Sequence, residues 1–142
     1  MKKFIHTLPI VVGVMLLFYA CNESQELPTD CDKTVIVSKS EFKNAPNDPF
    51  KINKLEIIGD CLKITFSSNG CDGTSWKVKL IDAGIVAESY PVQRTLRLSL
   101  ENKEMCGVNI VKEISVDIRK LQIEEYDKIW LSVSEKGILY EY

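Results

Sequence analysis

Lys54-Leu-Glu-Ile-Ile-Gly-Asp-Cys-Leu-Lys-Ile64 is the stretch that decides the fold. If Gly59-Asp60 is a two-residue hairpin turn, Ile57 faces Leu62 and Leu55 faces Ile64 on one side, while Glu56 faces Lys63 on the other. An apolar face opposite a charge-paired face is what a half-buried hairpin requires, and a slip of one residue would carry the charges inside. The same period of two, rather than a helical period, continues along the chain.

On the C-terminal side, Trp76, Val78 and Leu80 alternate with Lys77 and Lys79. Leu96, Leu98 and Leu100 alternate with Arg97, Ser99 and Glu101, and Ile114, Val116 and Ile118 with Ser115, Asp117 and Arg119. Ile129, Leu131 and Val133 follow. Asp82-Ala83-Gly84 has turn chemistry ahead of a short Ile85 to Ala87 segment that ends near Pro91. Lys136-Gly137 offers a turn into a last strand, whose Ile138, Tyr140 and Tyr142 share a face. On the N-terminal side, Val35-Ile36-Val37 reads as a first strand, with one turn of helix near Ser40 to Asn44. Asn44 to Phe50 is a loop, because Pro46 and Pro49 cannot hold a ladder. Seven to eight short strands punctuated by turns predict an all-β fold, an antiparallel β-sandwich first and a small β-barrel second.

The N-terminus reads as a targeting segment. Lys2 and Lys3 precede an uncharged apolar run of 13 residues, Leu8 to Ala20, too short for the ~20 residues that a spanning helix needs. Leu17-Phe18-Tyr19-Ala20-Cys21 resembles the lipobox of bacterial lipoproteins, although Phe18 and Tyr19 are bulkier than the residues usual there. The resemblance covers residues 1–21 only. It implies that residues 1–20 form a removed signal peptide and that Cys21 receives a diacylglycerol on its sulfur. It also implies a membrane partner through two or three acyl chains, palmitate among them, which anchor without spanning. The expected location is the bacterial cell envelope, on the outer membrane and facing periplasm or surface. Residues 21–31 then form the lipidated cysteine and a polar tether containing Pro28, and residues 32–142 the folded domain.

Processing sharpens the exclusions. The only histidine, His6, lies in the removed segment, so the mature chain cannot run Ser-His-Asp or Cys-His catalysis or build a zinc site that needs an imidazole. Without Lys2 and Lys3 the balance is 16 basic to 20 acidic residues, a formal charge of −4. Such a domain is poorly suited to nucleic acid, whose binding rests on neutralised phosphates. Four cysteines remain beside Cys21: Cys31, Cys61, Cys71 and Cys106. In an oxidising compartment an even number predicts two disulfides, with three pairings open. Spacings of 30, 10 and 35 residues contain no C-x-x-C pair for zinc. The 122 residues from Cys21 onward suffice for one core and not two.

Cys61, Trp76 and Cys106 come in the order of an immunoglobulin domain. Against that reading, Cys61 falls on the Lys63 and Thr65 face of its hairpin, away from the core, and Asn102 to Met105 holds no tyrosine. Asn69-Gly-Cys-Asp-Gly-Thr74 lacks the spacing of a calcium loop and reads as a disulfide-pinned turn. Ser40-Glu-Phe-Lys43 matches S-x-x-K without the companion elements of penicillin-recognising enzymes. The carboxylate groups Glu124, Glu125 and Asp127, and Glu101 with Glu104, fall in apparent turns and read as solvated surface. No metal, cofactor or catalytic residue is expected.

Trp130 stands apart. It falls between Ile129 and Leu131, on the parity opposite the apolar face, and is the expected contact residue. The sequence thus predicts a non-catalytic binding or accessory module for an envelope protein or glycan. The alternative is an inhibitor of a secreted hydrolase such as a lysozyme or protease, acting through a preorganised loop at Ser67 to Thr74 or Asn44 to Phe50.

Overall fold

The structure is a computed structural model that describes residues 30–142. In chain order the elements are β1 (Lys33–Thr34), β2 (Ile36–Val37), α1 (Lys39–Asn44), β3 (Lys51–Ile58), β4 (Cys61–Gly70), β5 (Lys77–Ala87), β6 (Gln93–Glu101), β7 (Val108–Asp117), a 3-10 turn at Arg119–Leu121, β8 (Lys128–Val133) and β9 (Lys136–Glu141). They form a β-sandwich of a four-stranded sheet, β1-β7-β4-β3, and a five-stranded sheet, β2-β5-β6-β8-β9. The four-stranded sheet is the first sheet and the five-stranded sheet the second.

The deciding hairpin has the register its sequence requires: Leu55 pairs with Ile64, Glu56 with Lys63 and Ile57 with Leu62. Gly59 opens the turn at φ +57°, a conformation that glycine adopts without steric cost. Leu62, Ile64 and Phe66 are fully buried, and Leu55 and Ile57 pack against the core. On the outer face Lys63 on β4 reaches to Glu113 on the adjacent β7 at 2.8 Å, while Glu56 takes Lys54 at 2.7 Å. Trp76, Val78, Leu80, Leu96, Leu98, Leu100, Ile114, Val116, Ile118, Ile129, Leu131, Val133 and Tyr140 fill the space between the sheets, as their alternation predicts.

Four expectations need correction. The sheets are mixed rather than purely antiparallel, since β1 pairs with β7, β2 with β5 and β6 with β8 in parallel. After β6 the chain crosses to the first sheet as β7 and returns, so β8 enters beside β6 in the same direction, as parallel pairs demand. The first strand is split. β1 joins one sheet and β2 the other, and Val35 between them is 2% exposed, its N–H donating to Asp117 O at 3.0 Å. Asp82-Ala83-Gly84 is not a turn; β5 runs through it to Ala87 with a bulge between Asp82 and Val86. The turn into β9 lies before Lys136, at Ser134 and Glu135, with Ser134 at φ +52°. The helical turn near Ser40 is α1, capped by Ser38 Oγ, which accepts from Glu41 N at 3.2 Å.

Candidate functional site

The disulfides are Cys31–Cys61 and Cys71–Cys106, with Cα separations of 5.7 and 4.7 Å. Strand register explains the pairing. β4 and β7 are antiparallel, with Cys61 opposite Asp117 and Gly70 opposite Val108. The start of β4 therefore lies near β1 and Cys31, and its end near the chain entering β7. The two bridges sit at opposite ends of β4, about 30 Å apart at a strand rise of ~3.3 Å per residue. Cys61 and Cys106 do not pair, so the immunoglobulin pattern is absent. Cys21 lies outside the described residues.

The Cys71–Cys106 bridge closes a loop over residues 71–75, shorter than the predicted Ser67 to Thr74 because Ser67 to Gly70 belong to β4. Glu104 fills this loop from within. Its carboxylate accepts from the backbone N–H groups of Cys71, Asp72 and Gly73 at 2.6, 3.2 and 3.0 Å and from Ser75 Oγ at 2.7 Å. The Ser75 hydroxyl and those N–H groups hold Glu104 down to about 2. Asp72 Oδ1 accepts from Thr74 N and Oγ1, and Lys112 Nζ donates to Gly73 O. The Asn44 to Phe50 loop is tied in the same way. Arg97 donates to Ala45 O, Ser99 Oγ to Pro46 O at 2.7 Å and Ser68 Oγ to Pro49 O at 2.6 Å, while Asp48 Oδ2 accepts from Asn102 N at 2.7 Å. Both loops are tied to the body of the domain, and the polar groups named spend their hydrogen bonds inside the protein.

Trp130 projects from the outer face of the second sheet, as its parity predicts. It is 37% exposed, and on its strand Ile129, Leu131 and Val133 point inward with no exposure. In register it lies between Gln93 on β6 and Leu139 on β9, and Leu139 is exposed to a similar extent. The indole lies against Gly137, where an added Cβ would overlap the ring. This close approach, rather than a turn, is what the glycine at 137 serves. Lys128 and Ser132 on β8, and Thr95 opposite Ser132, supply polar groups on the same face. The result is a flat apolar platform with hydroxyl, amide and ammonium neighbours, suited to stacking on a sugar ring or seating an apolar side chain. The sequence pointed to Trp130 but not to Leu139 and Gly137, which reach it only through the β8–β9 register.

The remaining candidates fall elsewhere. Trp76 and Tyr140 are core residues. Tyr140 donates to Asp60 Oδ1 at 2.5 Å and accepts from Gln122 Nε2 at 2.6 Å, and burial pushes its phenol well above the ordinary value. Glu124, Glu125 and Asp127 border a broad depression with Arg119, Tyr126 and Tyr142. An open cleft of about 440 Å³ lies between residues 47–52 and 134–136. Among the described residues no cluster of three or more His, Cys, Asp or Glu is placed to hold a metal ion.

Neither a protein-family model nor a curated protein matches the sequence. Among solved structures, the chain is similar to a NigD-like immunity protein from Bacteroides caccae, with a TM-score of 0.57 and 11% identity over 79% of this chain and 60% of that one. It is also similar to a protein of unknown function, DUF1344, from Bacteroides vulgatus, with a TM-score of 0.56 and 15% identity over 78% of this chain and 56% of that one. At these identities the likeness shows the fold, and the chain spans less than two thirds of either structure's length.

Proposed function

We propose that the chain is a lipid-tethered, non-catalytic docking module of the bacterial cell envelope, which binds an envelope protein or glycan through the Trp130 face. The observation that carries this reading is the half-exposed indole held flat against Gly137 beside Leu139. A large apolar side chain already ordered on a strand costs little further entropy on binding, and tryptophan is the residue type most enriched among binding hot spots. The two disulfides favour an oxidising compartment outside the cytoplasm. A lipidated Cys21 would reach the domain through the nine residues 22–30, enough for about 30 Å when extended. One protein of similar fold is described as an immunity protein, and an accessory or immunity-type role is compatible with a docking module. The inhibitor reading draws less support, because the backbone donors of loop 71–75 at Cys71, Asp72 and Gly73 are consumed by Glu104.

The test is a crosslinking pull-down from whole envelope with the full-length tethered protein, beside Trp130→Ala and Cys21→Ala versions. The expected result is one specific partner or glycan fraction that is lost with Trp130→Ala, and release of the protein from membranes with Cys21→Ala. Capture that is unchanged by Trp130→Ala removes this face as the site.

A further inference from the structure

β7 leaves one long edge unprotected. Natural sheets blunt their edges with bulges, short strands, lysines or covering segments, because an open row of N–H and C=O groups invites another strand. The other edges follow that rule. β3 is bulged between Ile52 and Lys54 and carries Lys51 and Lys54; β5 is bulged between Asp82 and Val86 and adjoined by β2 and α1; β9 has six residues and begins with Lys136. β7 has ten residues in unbroken register with β4, and β1 covers only Val116 and Asp117.

The direction of the free groups is fixed by the neighbouring contacts. Ser115 N donates to Asp32 Oδ2 at 3.0 Å, and Asp117 O accepts from Val35 N at 3.0 Å, both on the side away from β4. By the alternation of an antiparallel ladder, the backbone groups of Asn109, Val111 and Glu113 face the same way, and among the described residues no strand pairs with them. The charges that would guard this edge are turned elsewhere. Glu113 reaches to Lys63 at 2.8 Å, and Lys112 to Gly73 O and the Trp76 ring. Exposed apolar side chains run along it instead: Val108 at 55%, Val111 at 59% and, just before the strand, Met105 at 96%.

We propose that the protein forms a two-fold dimer in which β7 pairs antiparallel with β7 of a second copy, Val111 opposite Val111. The free stretch runs from Val108 to Ile114 and Val111 is its midpoint, so both copies use their whole edge. Asn109 then meets Glu113, Ile110 meets Lys112 and Val108 meets Ile114, with no like charges opposed. Moving the centre to Lys112 sets lysine against lysine, moving it to Glu113 sets glutamate against glutamate, and moving it to Ile110 runs Ser115 past the strand onto Met105. The three outward residues of each copy exchange both ladder bonds with their partners, joining two four-stranded sheets into one of eight strands.

The symmetry also suits a membrane. Cys31 and Asp32 attach to Cys61 and Ser115, whose side chains lie on the outer face of the first sheet. A two-fold axis perpendicular to that sheet places Cys31 and Asp32 of both copies on the same side and leaves both Trp130 faces pointing the other way. The dimer does not depend on the docking proposal.

The test is cysteine crosslinking of the full-length protein in intact envelopes, read on non-reducing gels, with the mass of the detergent-solubilised protein measured alongside. Val111→Cys is expected to give a reducible dimer. Asn109→Cys and Glu113→Cys should each give none alone but a dimer when co-expressed, because paired residues place their Cα atoms at a disulfide-compatible ~5.5 Å. Val111→Lys should weaken the dimer at least tenfold while leaving both native disulfides formed. A monomeric wild-type mass, equal crosslinking at a control site such as Lys54→Cys, or a Val111→Cys adduct with a different protein would each overturn self-pairing.

Discussion

Replacing Arg94 by methionine should be among the most damaging single changes in this domain, and the damage should depend on pH. Arg94 Nη2 meets Asp82 Oδ2 at 2.8 Å in the gap that the β5 bulge opens, with side-chain exposures of 11% and 0%. Burial raises Asp82 above its ordinary value, and the Arg94 charge opposes that rise. Methionine fills much of the arginine's volume but leaves a buried carboxylate without its cation, a change that costs about 3–5 kcal/mol. A carboxyl whose folded pKa is raised becomes a liability as pH climbs past its unfolded pKa, and the liability is complete above the folded one. The Arg94→Met deficit should therefore be largest near neutral pH and shrink as Asp82 protonates. Urea unfolding at about pH 7.5 and about pH 5 measures both terms. The double variant Asp82→Leu with Arg94→Met should recover most of the loss, since a buried pair replaced by apolar groups is often neutral or better. A deficit under about 1 kcal/mol, or one that grows at low pH, would mean that Arg94 does not neutralise a buried Asp82 carboxylate.

Three other perturbations test the remaining parts of the structure. Replacing both Cys31 and Cys61 by alanine removes a 30-residue cross-link and should cost up to about 3.6 kcal/mol at 25 °C by chain entropy, measured by denaturant unfolding of the oxidised wild type beside the variant. Glu104 should titrate near 2, so the amide resonances of Cys71 and Gly73 should hold steady through the ordinary carboxylate range. Because its folded pKa is lowered, the stabilisation it provides is complete above the ordinary carboxylate range, fades progressively as pH falls through that range, and is gone below about 2; Glu104→Gln should speed hydrogen exchange across residues 71–75. Gly137→Ala places a Cβ in the Trp130 ring and should cost about 1–3 kcal/mol in thermal or urea unfolding while reproducing the binding loss of Trp130→Ala.

How much was legible depended on how local each feature is. The hairpin around Gly59 could be read to the residue because its register is set by neighbours in sequence, and the buried rows of β4, β6, β7 and β8 follow from alternation alone. The parallel pairings could not be read, since nothing near Gln93 or Lys128 in the sequence says that these strands will lie side by side. Asp82-Ala83-Gly84 has the composition of a turn, yet the buried pairing of Asp82 with Arg94 keeps the strand running and makes a bulge of it. Gly137 suggested a turn because glycine usually does; its actual constraint is the indole of Trp130 arriving from the adjacent strand. The disulfide pairing stayed open until β4 was known to lie antiparallel to β7, after which the strand ends bring the right cysteines together. Glu104 looked like a surface acid, and only the tertiary loop around residues 71–75 shows its use. The Trp130 site was half legible: parity gave the tryptophan, and the β9 register gave its setting.

Docking through the Trp130 face, as proposed above, can be probed directly in the envelope. The most direct measurement is site-specific photo-crosslinking in living cells, with a photoreactive residue placed at Leu139 beside Trp130 or at Lys54 on the opposite sheet. A docking face at Trp130 should give a discrete adduct from position 139, abolished by Trp130→Ala, and none from position 54. Equal adducts from both positions, or an adduct at 139 that survives Trp130→Ala, would contradict it.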